Sequence, residues 1–135
     1  MPSSEERVSL SSYKVNVQIA VSDLARARRF YEGKLGLCPV TGPNDQTTSY
    51  PCAGGTTLHV YASPHHASKS TATVARWDVD DIERVVDELT SRGVTFERYD
   101  GFDQDEKGIA RGPQGPPIAW LKDPAGNILA VLEQT

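Results

Sequence analysis

The feature that most constrains this chain is a pattern written twice. Val21-Ser22-Asp23-Leu24 matches Val79-Asp80-Asp81-Ile82 at an offset of 58 residues, and Leu35-Gly36-Leu37 matches Arg92-Gly93-Val94 one residue closer. Gly54-Gly55-Thr56-Thr57-Leu58-His59-Val60-Tyr61 matches Ala125-Gly126-Asn127-Ile128-Leu129-Ala130-Val131-Leu132 at an offset of 71. Such a repeat makes each copy one supersecondary unit, and a unit of this kind buries its apolar face against a neighbour.

Both copies read in the same order. Val15, Val17, Ile19 and Val21 alternate with Asn16, Gln18 and Ala20, the pattern of a half-buried strand. Ser22 stands as an N-cap, Leu24, Ala27, Tyr31 and Leu35 recur at helical spacing beside Phe30, and Gly36 takes the position after the helix. Thr41-Gly42-Pro43-Asn44-Asp45 reads as a turn between two short strands, and Gly54-Gly55 introduces another strand over 56–61. Residues 63–70 form a polar linker. Thr73, Ala75, Trp77 and Val79 then alternate with Val74, Arg76 and Asp78. Asp80 is placed as the second N-cap, with Glu83 three residues on as in a capping box. Ile82, Val85, Val86 and Leu89 make the apolar stripe of that helix, and Gly93 ends it. A strand over 94–98, a Gly-rich acidic loop and two strands near 117–122 and 127–132, joined by Asp123-Pro124-Ala125-Gly126, complete the chain. The expected fold is α+β: one domain over 1–135, built from two βαβββ modules at about 13–62 and 71–134.

A chain of 135 residues can bury a real core. Its net charge of −4 argues against a nucleic-acid partner, which needs clustered Lys and Arg. The one dense basic cluster, Arg26, Arg28 and Arg29, falls on the first helix and reads as a solvated face. The first dozen residues are polar and no apolar run follows them, so neither a signal peptide nor a membrane span is expected. The expected location is the cytoplasm. There Cys38 and Cys52 stay as thiols, although both fall within one predicted hairpin.

A helix covers one face of its sheet, so Val15, Val17, Ile19, Leu58, Val60, Trp77, Ala119, Leu121, Leu129 and Val131 are assigned to the covered face. The other face then carries Asn16, Gln18, Thr57, His59, Tyr61, Val74, Arg76, Asp78, Ile118, Trp120, Ile128, Ala130 and Leu132. That mixture of aromatic walls and a few polar groups suits a small-molecule cavity.

Three segments carry a family likeness: the stretch from Val21 to Leu37, with Phe30-Tyr31-Glu32 at its centre; Val79-Asp80-Asp81-Ile82 with its helix; and Trp120-Leu121-Lys122-Asp123-Pro124-Ala125-Gly126-Asn127. With them the chain resembles the vicinal oxygen chelate superfamily of glyoxalases, extradiol dioxygenases and bleomycin resistance proteins. The resemblance implies a U-shaped sheet cavity, half from each module, and a homodimer. The modules pair either within one chain or between two. It also implies metal positions on the first and last strand of each module, here Asn16, His59, Val74 and Ala130. Val74 and Ala130 offer no donor, and a catalytic zinc or iron needs about three protein ligands. No metal or other cofactor is therefore expected.

Two functions follow. The first is a metal-independent enzyme acting on a small carbonyl or carboxylate compound, with His59 moving a proton and Arg76 holding an oxyanion. The second is a protein that sequesters a drug or metabolite without reacting. For either, the expected ligand contacts are Asn16, Gln18, Tyr61, Arg76, Trp120 and Phe102. Each has an ordinary structural reading beside it. His59 packs against a neighbour, Arg76 pairs with Asp78, Asn16 and Gln18 bond across strands, and Trp120 fills core. The loop from Tyr99 to Gly108 is either a lid closing with Phe102 or a solvated acidic loop.

Overall fold

Alternating apolar residues set the strands, and an aspartate opens each helix. In the computed structural model, which describes residues 8–40, 45–113 and 115–134, β1 runs Val17–Val21 and α1 Leu24–Arg28, continuing into a π-helical turn over Arg29–Lys34. Next come β2 (Thr47–Pro51), β3 (Thr57–Ala62), β4 (Thr73–Val79) and α2 (Ile82–Ser91). The chain closes with β5 (Ala110–Gly112), β6 (Gly115–Lys122) and β7 (Ile128–Glu133).

Each helix begins one residue later than the sequence suggested. Asp23, not Ser22, caps α1 by accepting from the Arg26 amide at 3.1 Å, and Asp81, not Asp80, caps α2 by accepting from the Arg84 amide at 3.2 Å. The later cap removes Glu83 from a capping-box position. Glu133 at the end of β7 serves instead, accepting from the Ile82 amide at 3.1 Å.

The strands form two sheets in the orders β1-β3-β2 and β4-β7-β6-β5. In each, the first and last strands of a module are parallel neighbours and the preceding strand pairs antiparallel with the last. The topology therefore repeats as the sequence does. The strand after the first helix shrinks to one bridge, Val40 to Ser49, and the turn expected at 41–45 lies, apart from Asp45, outside the described residues. The strand expected over 94–98 also shrinks to one bridge, Phe96 to Leu121, while β5 takes the outer place. Its physical cause is Gln104, whose side chain takes the Glu97 carbonyl and the Tyr99 amide that a longer ladder would use. Val15 lies ahead of β1 and is 77% exposed, not on the covered face.

Helix-side residues of both sheets share one core. Ile19, Val21, Leu58 and Val60 from the first sheet meet Leu121 and Leu129 from the second, with Phe30, Tyr31 and Leu89 from the helices among them. At roughly 2 kcal/mol per fully buried large apolar side chain, this shared core is the main force holding the modules together. A polar latch adds to it. Asp123 is buried, and its Oδ1 accepts from the amides of Ala125 and Asn127. Its Oδ2 accepts from the Tyr31 hydroxyl at 2.8 Å and Asn127 Nδ2 at 2.9 Å. Asn127 Nδ2 also donates to the Ala20 carbonyl of β1 at 2.8 Å. The turn at 123–126 is thus more than a reversal, because it ties module two to the π-helical turn after α1 and to β1.

Candidate functional site

Because the helix sides of both sheets are spent on the common core, their other faces look outward. On the first sheet the register sets Gln18, His59 and Ser49 side by side in one row. Ser49 is buried and His59 half-buried, with 2.8 Å between Ser49 Oγ and His59 Nδ1. The hydroxyl fixes the ring, and Nε2 is the nitrogen left for chemistry. Gln18 is exposed, and Tyr61 is half-buried two residues along β3. Asn16 is exposed, yet its Oδ1 already accepts from the Thr57 amide at 3.1 Å.

The second sheet aligns Arg76, Ala130 and Trp120 in one row. Arg76 makes the pairing that its ordinary reading anticipates: Nε donates to Asp78 Oδ1 at 2.8 Å and Nη2 to Oδ2 at 3.3 Å. Trp120 is only 8% exposed, because two rings from the loop after α2 cover it. Tyr99 meets it edge-on at 5.4 Å between centroids, and Phe102 lies tilted at 4.8 Å. Phe102 keeps 41% of its own surface exposed. The Tyr99 hydroxyl is buried and has no hydrogen-bond partner among the described residues. Burial, and then the nearby Glu97 charge, push its phenol pKa up, so it stays a neutral donor.

The loop carrying these rings is tied down rather than hinged. Gln104 bonds the Tyr99 amide, the Glu97 carbonyl and the Gly108 carbonyl at 2.8–2.9 Å. Asp105 Oδ1 accepts from the amides of Lys107 and Ile109. Burial alone would raise the Asp105 pKa, but the Ile109 and Lys107 amides and Arg111 hold the carboxyl below its usual range. Asp105 is therefore committed to the loop's own structure.

The metal implied by the family resemblance does not fit these residues. Of the four positions, Val74 and Ala130 have no donor atom, Ala130 is fully buried in the cluster around Trp120, and Asn16 Oδ1 already accepts from the Thr57 amide, so His59 Nε2 is a lone donor where about three are needed. Among the described residues no three His, Cys, Asp or Glu side chains gather as a metal site. His66 bonds Ser63 at 2.8 Å in an exposed turn.

Of the residues singled out from sequence, the structure brings Trp120 to Phe102 and Gln18 to His59. It does not bring His59 to Arg76. Arg76 and Asp78 border a groove of about 290 Å³ beside Thr57 and Cys52, and His59 does not line it. Sequence reasoning missed Tyr99 and Ser49. Ser49 could have been found by extending the alternation through β2, whereas nothing in a long loop marks where Tyr99 will land.

Comparison with known proteins agrees with this architecture. No curated protein matches the chain at a significant level. Among solved structures, a Sphaerobacter thermophilus member of the glyoxalase/bleomycin resistance protein/dioxygenase superfamily aligns with TM-score 0.64 at 26% identity, covering 90% of this chain and 97% of its own. TnmS3, an antibiotic binding protein from a Streptomyces species, aligns with TM-score 0.67 at 18% identity over 89% and 93%. A lactoylglutathione lyase from Agrobacterium tumefaciens aligns with TM-score 0.63 at 23% identity over 90% and 93%. The sequence model of the Glyoxalase/Bleomycin resistance protein/Dioxygenase superfamily matches residues 15–131, and the chain belongs to that superfamily.

Proposed function

We propose that this protein is a metal-independent binding protein for a planar aromatic compound bearing a hydrogen-bond acceptor, and that it holds the compound without converting it. The observation that carries this reading is the group on the outward face of the second sheet. Trp120, Phe102 and Tyr99 make an aromatic patch, and the Tyr99 hydroxyl within it is buried with no acceptor among the described residues. An unpaired buried donor costs about 1–3 kcal/mol, which an acceptor on a ligand would return. Aromatic surface adds stacking geometry. The likeness to TnmS3, an antibiotic binding protein, supports this reading.

The enzyme reading has less support. His59 and Arg76 lie on different outward faces, and Arg76 is already paired. Their cooperation would need a second protomer. A homodimer has its own support: β1 and β4 each stand at one edge of their sheet, and Val15 is an exposed large apolar residue just ahead of β1. In the proposed dimer, the first sheet of one protomer faces the second sheet of the other and closes the cup. The same reading keeps the protein in a reducing cytoplasm, with Cys38 and Cys52 as free thiols.

The test is equilibrium binding of acridine and quinoline against saturated decahydroquinoline, with each compound afterwards recovered and weighed by mass spectrometry. The reading expects saturable binding of the flat compounds, weakened by F102A, and their recovery unchanged. Equal binding of the saturated compound, or a converted product, would overturn it. Sedimentation at low micromolar concentration should give a dimer.

A further inference from the structure

The basic cluster Arg26, Arg28 and Arg29 finds no use in the aromatic site. Arg28 is accounted for by Glu32, at 2.7 Å. The other two are not. Arg26 and Arg29 stand three residues apart on one side of the first helix and make no side-chain ion pair or hydrogen bond among the described residues. Both border a cleft of about 440 Å³ between this helix and module two. Lys34 stands at the same cleft on the helix side, donating to the Gly93 carbonyl at 3.4 Å, with Lys122 at the end of β6 and Gly93, Val94 and Thr95 along part of its wall.

Four cations around one cleft in a chain of net charge −4 is a concentration that the overall charge does not predict. The acidic groups there offset it only in part. Glu97 stands 3.9 Å from Lys122, and Asp123 points both oxygens at hydrogen-bond donors of the latch. Several cations outside the cleft have acidic partners: Arg76 with Asp78, Arg92 with Glu88, Lys107 with Glu83 and Asp87, and Arg111 with Glu83 and Asp105. Like charges held together without counter-charges repel one another, and an anion between them relieves the repulsion. Guanidinium forks suit the oxygens of a phosphate in particular. The cleft volume is that of a small-molecule site.

We propose that the cleft between the first helix and module two binds a small phosphate-bearing anion, at a site separate from the aromatic face. Arg26 and Arg29 grip the phosphate oxygens, Lys34 and Lys122 add long-range attraction, and Phe30 supplies an apolar wall. Because the ligand would touch both α1 and β6, its binding also clamps one module to the other.

The probe is inorganic pyrophosphate, followed by amide NMR at constant ionic strength, with chloride as the reference salt. The proposal expects saturable shifts at Gly93, Thr95 and Lys122. It expects at least a tenfold loss of affinity in R26Q/R29Q and none in R84Q, an arginine likewise without a side-chain partner among the described residues but outside this cleft. Chloride producing the same shifts, or R84Q losing as much affinity as the double variant, would overturn it. Both variants change exposed side chains, so retained amide dispersion separates a lost site from a lost fold. Acridine binding should survive in R26Q/R29Q, which keeps this site distinct from the aromatic one.

Discussion

Replacing Tyr31 by Phe removes one oxygen and leaves the ring. Tyr31 is fully buried, and its hydroxyl donates to Asp123 Oδ2 at 2.8 Å. Burial, with the Asp123 charge, pushes its pKa far up, so the hydroxyl remains protonated throughout the accessible pH range. A hydrogen bond to a charged group contributes about 1.5–3 kcal/mol. Asp123 retains three donors in the variant, which sets the expected cost at about 2 kcal/mol. With an unfolding entropy near 2.1 cal/mol/K per residue, a 135-residue chain loses roughly 7 °C of Tm for that cost. Tyr50→Phe is the matched comparison. Its hydroxyl donates to Glu32 at 2.9 Å, but Glu32 also keeps Arg28 and contact with water, so the expected cost is below about 1 kcal/mol. Thermal and urea unfolding followed by circular dichroism measure both. A Tyr31→Phe protein within about 1 °C of the parent, or one more stable than Tyr50→Phe, would refute the assignment of the latch.

Three further outcomes are expected. Gly126 has φ of +97°, and a Cβ there would meet Ser68 Oγ at 2.6 Å, so Gly126→Ala should cost about 1–2 kcal/mol in urea unfolding. The Glu32 carboxyl is held below its usual value, chiefly by its hydrogen bond to Arg28 and also by that to Tyr50, against a burial effect of opposite sign. A carboxyl lowered on folding stabilises the folded state above its unfolded pKa and loses that contribution as pH falls through the folded value. Unfolding free energy should therefore decline below about pH 4.5, and less steeply in Glu32→Gln, as measured by urea titrations across that range. Equimolar zinc should move Tm by less than about 1 °C, whereas a rise above about 5 °C would mean a specific site that the donor set does not account for.

How much was legible in the sequence depended on the range of the forces involved. Strand alternation and glycine stops are local, so Val17, Ile19 and Val21, or Gly36 and Gly93, announced the repeated module directly. The caps slipped by one residue because Ser22-Asp23 and Asp80-Asp81 each offer two competent side chains in a row. Only the backbone path selects the second of each pair. The π-helical turn, with the Leu35 amide reaching the Phe30 carbonyl, depends on seating both Phe30 and Tyr31 in the core. No local preference encodes that. Apart from Val74, which packs against the shared core where the β4 register shifts, the outward faces followed from alternation, which is why Trp120, His59 and Gln18 were found. The direction of those faces did not follow, because it is set by the core shared between modules. Tyr99 depended on the path of a loop that Gln104 pins from within.

The central claim is that ligands meet this protein at the aromatic face of the second sheet. The most direct measurement follows the two indole N–H cross-peaks, those of Trp77 and Trp120, while acridine is added. The account predicts saturable movement of the Trp120 indole and the Tyr99 and Phe102 amides, with Trp77 still because its ring packs between the modules. Movement of Trp77 with Trp120 unchanged would contradict it.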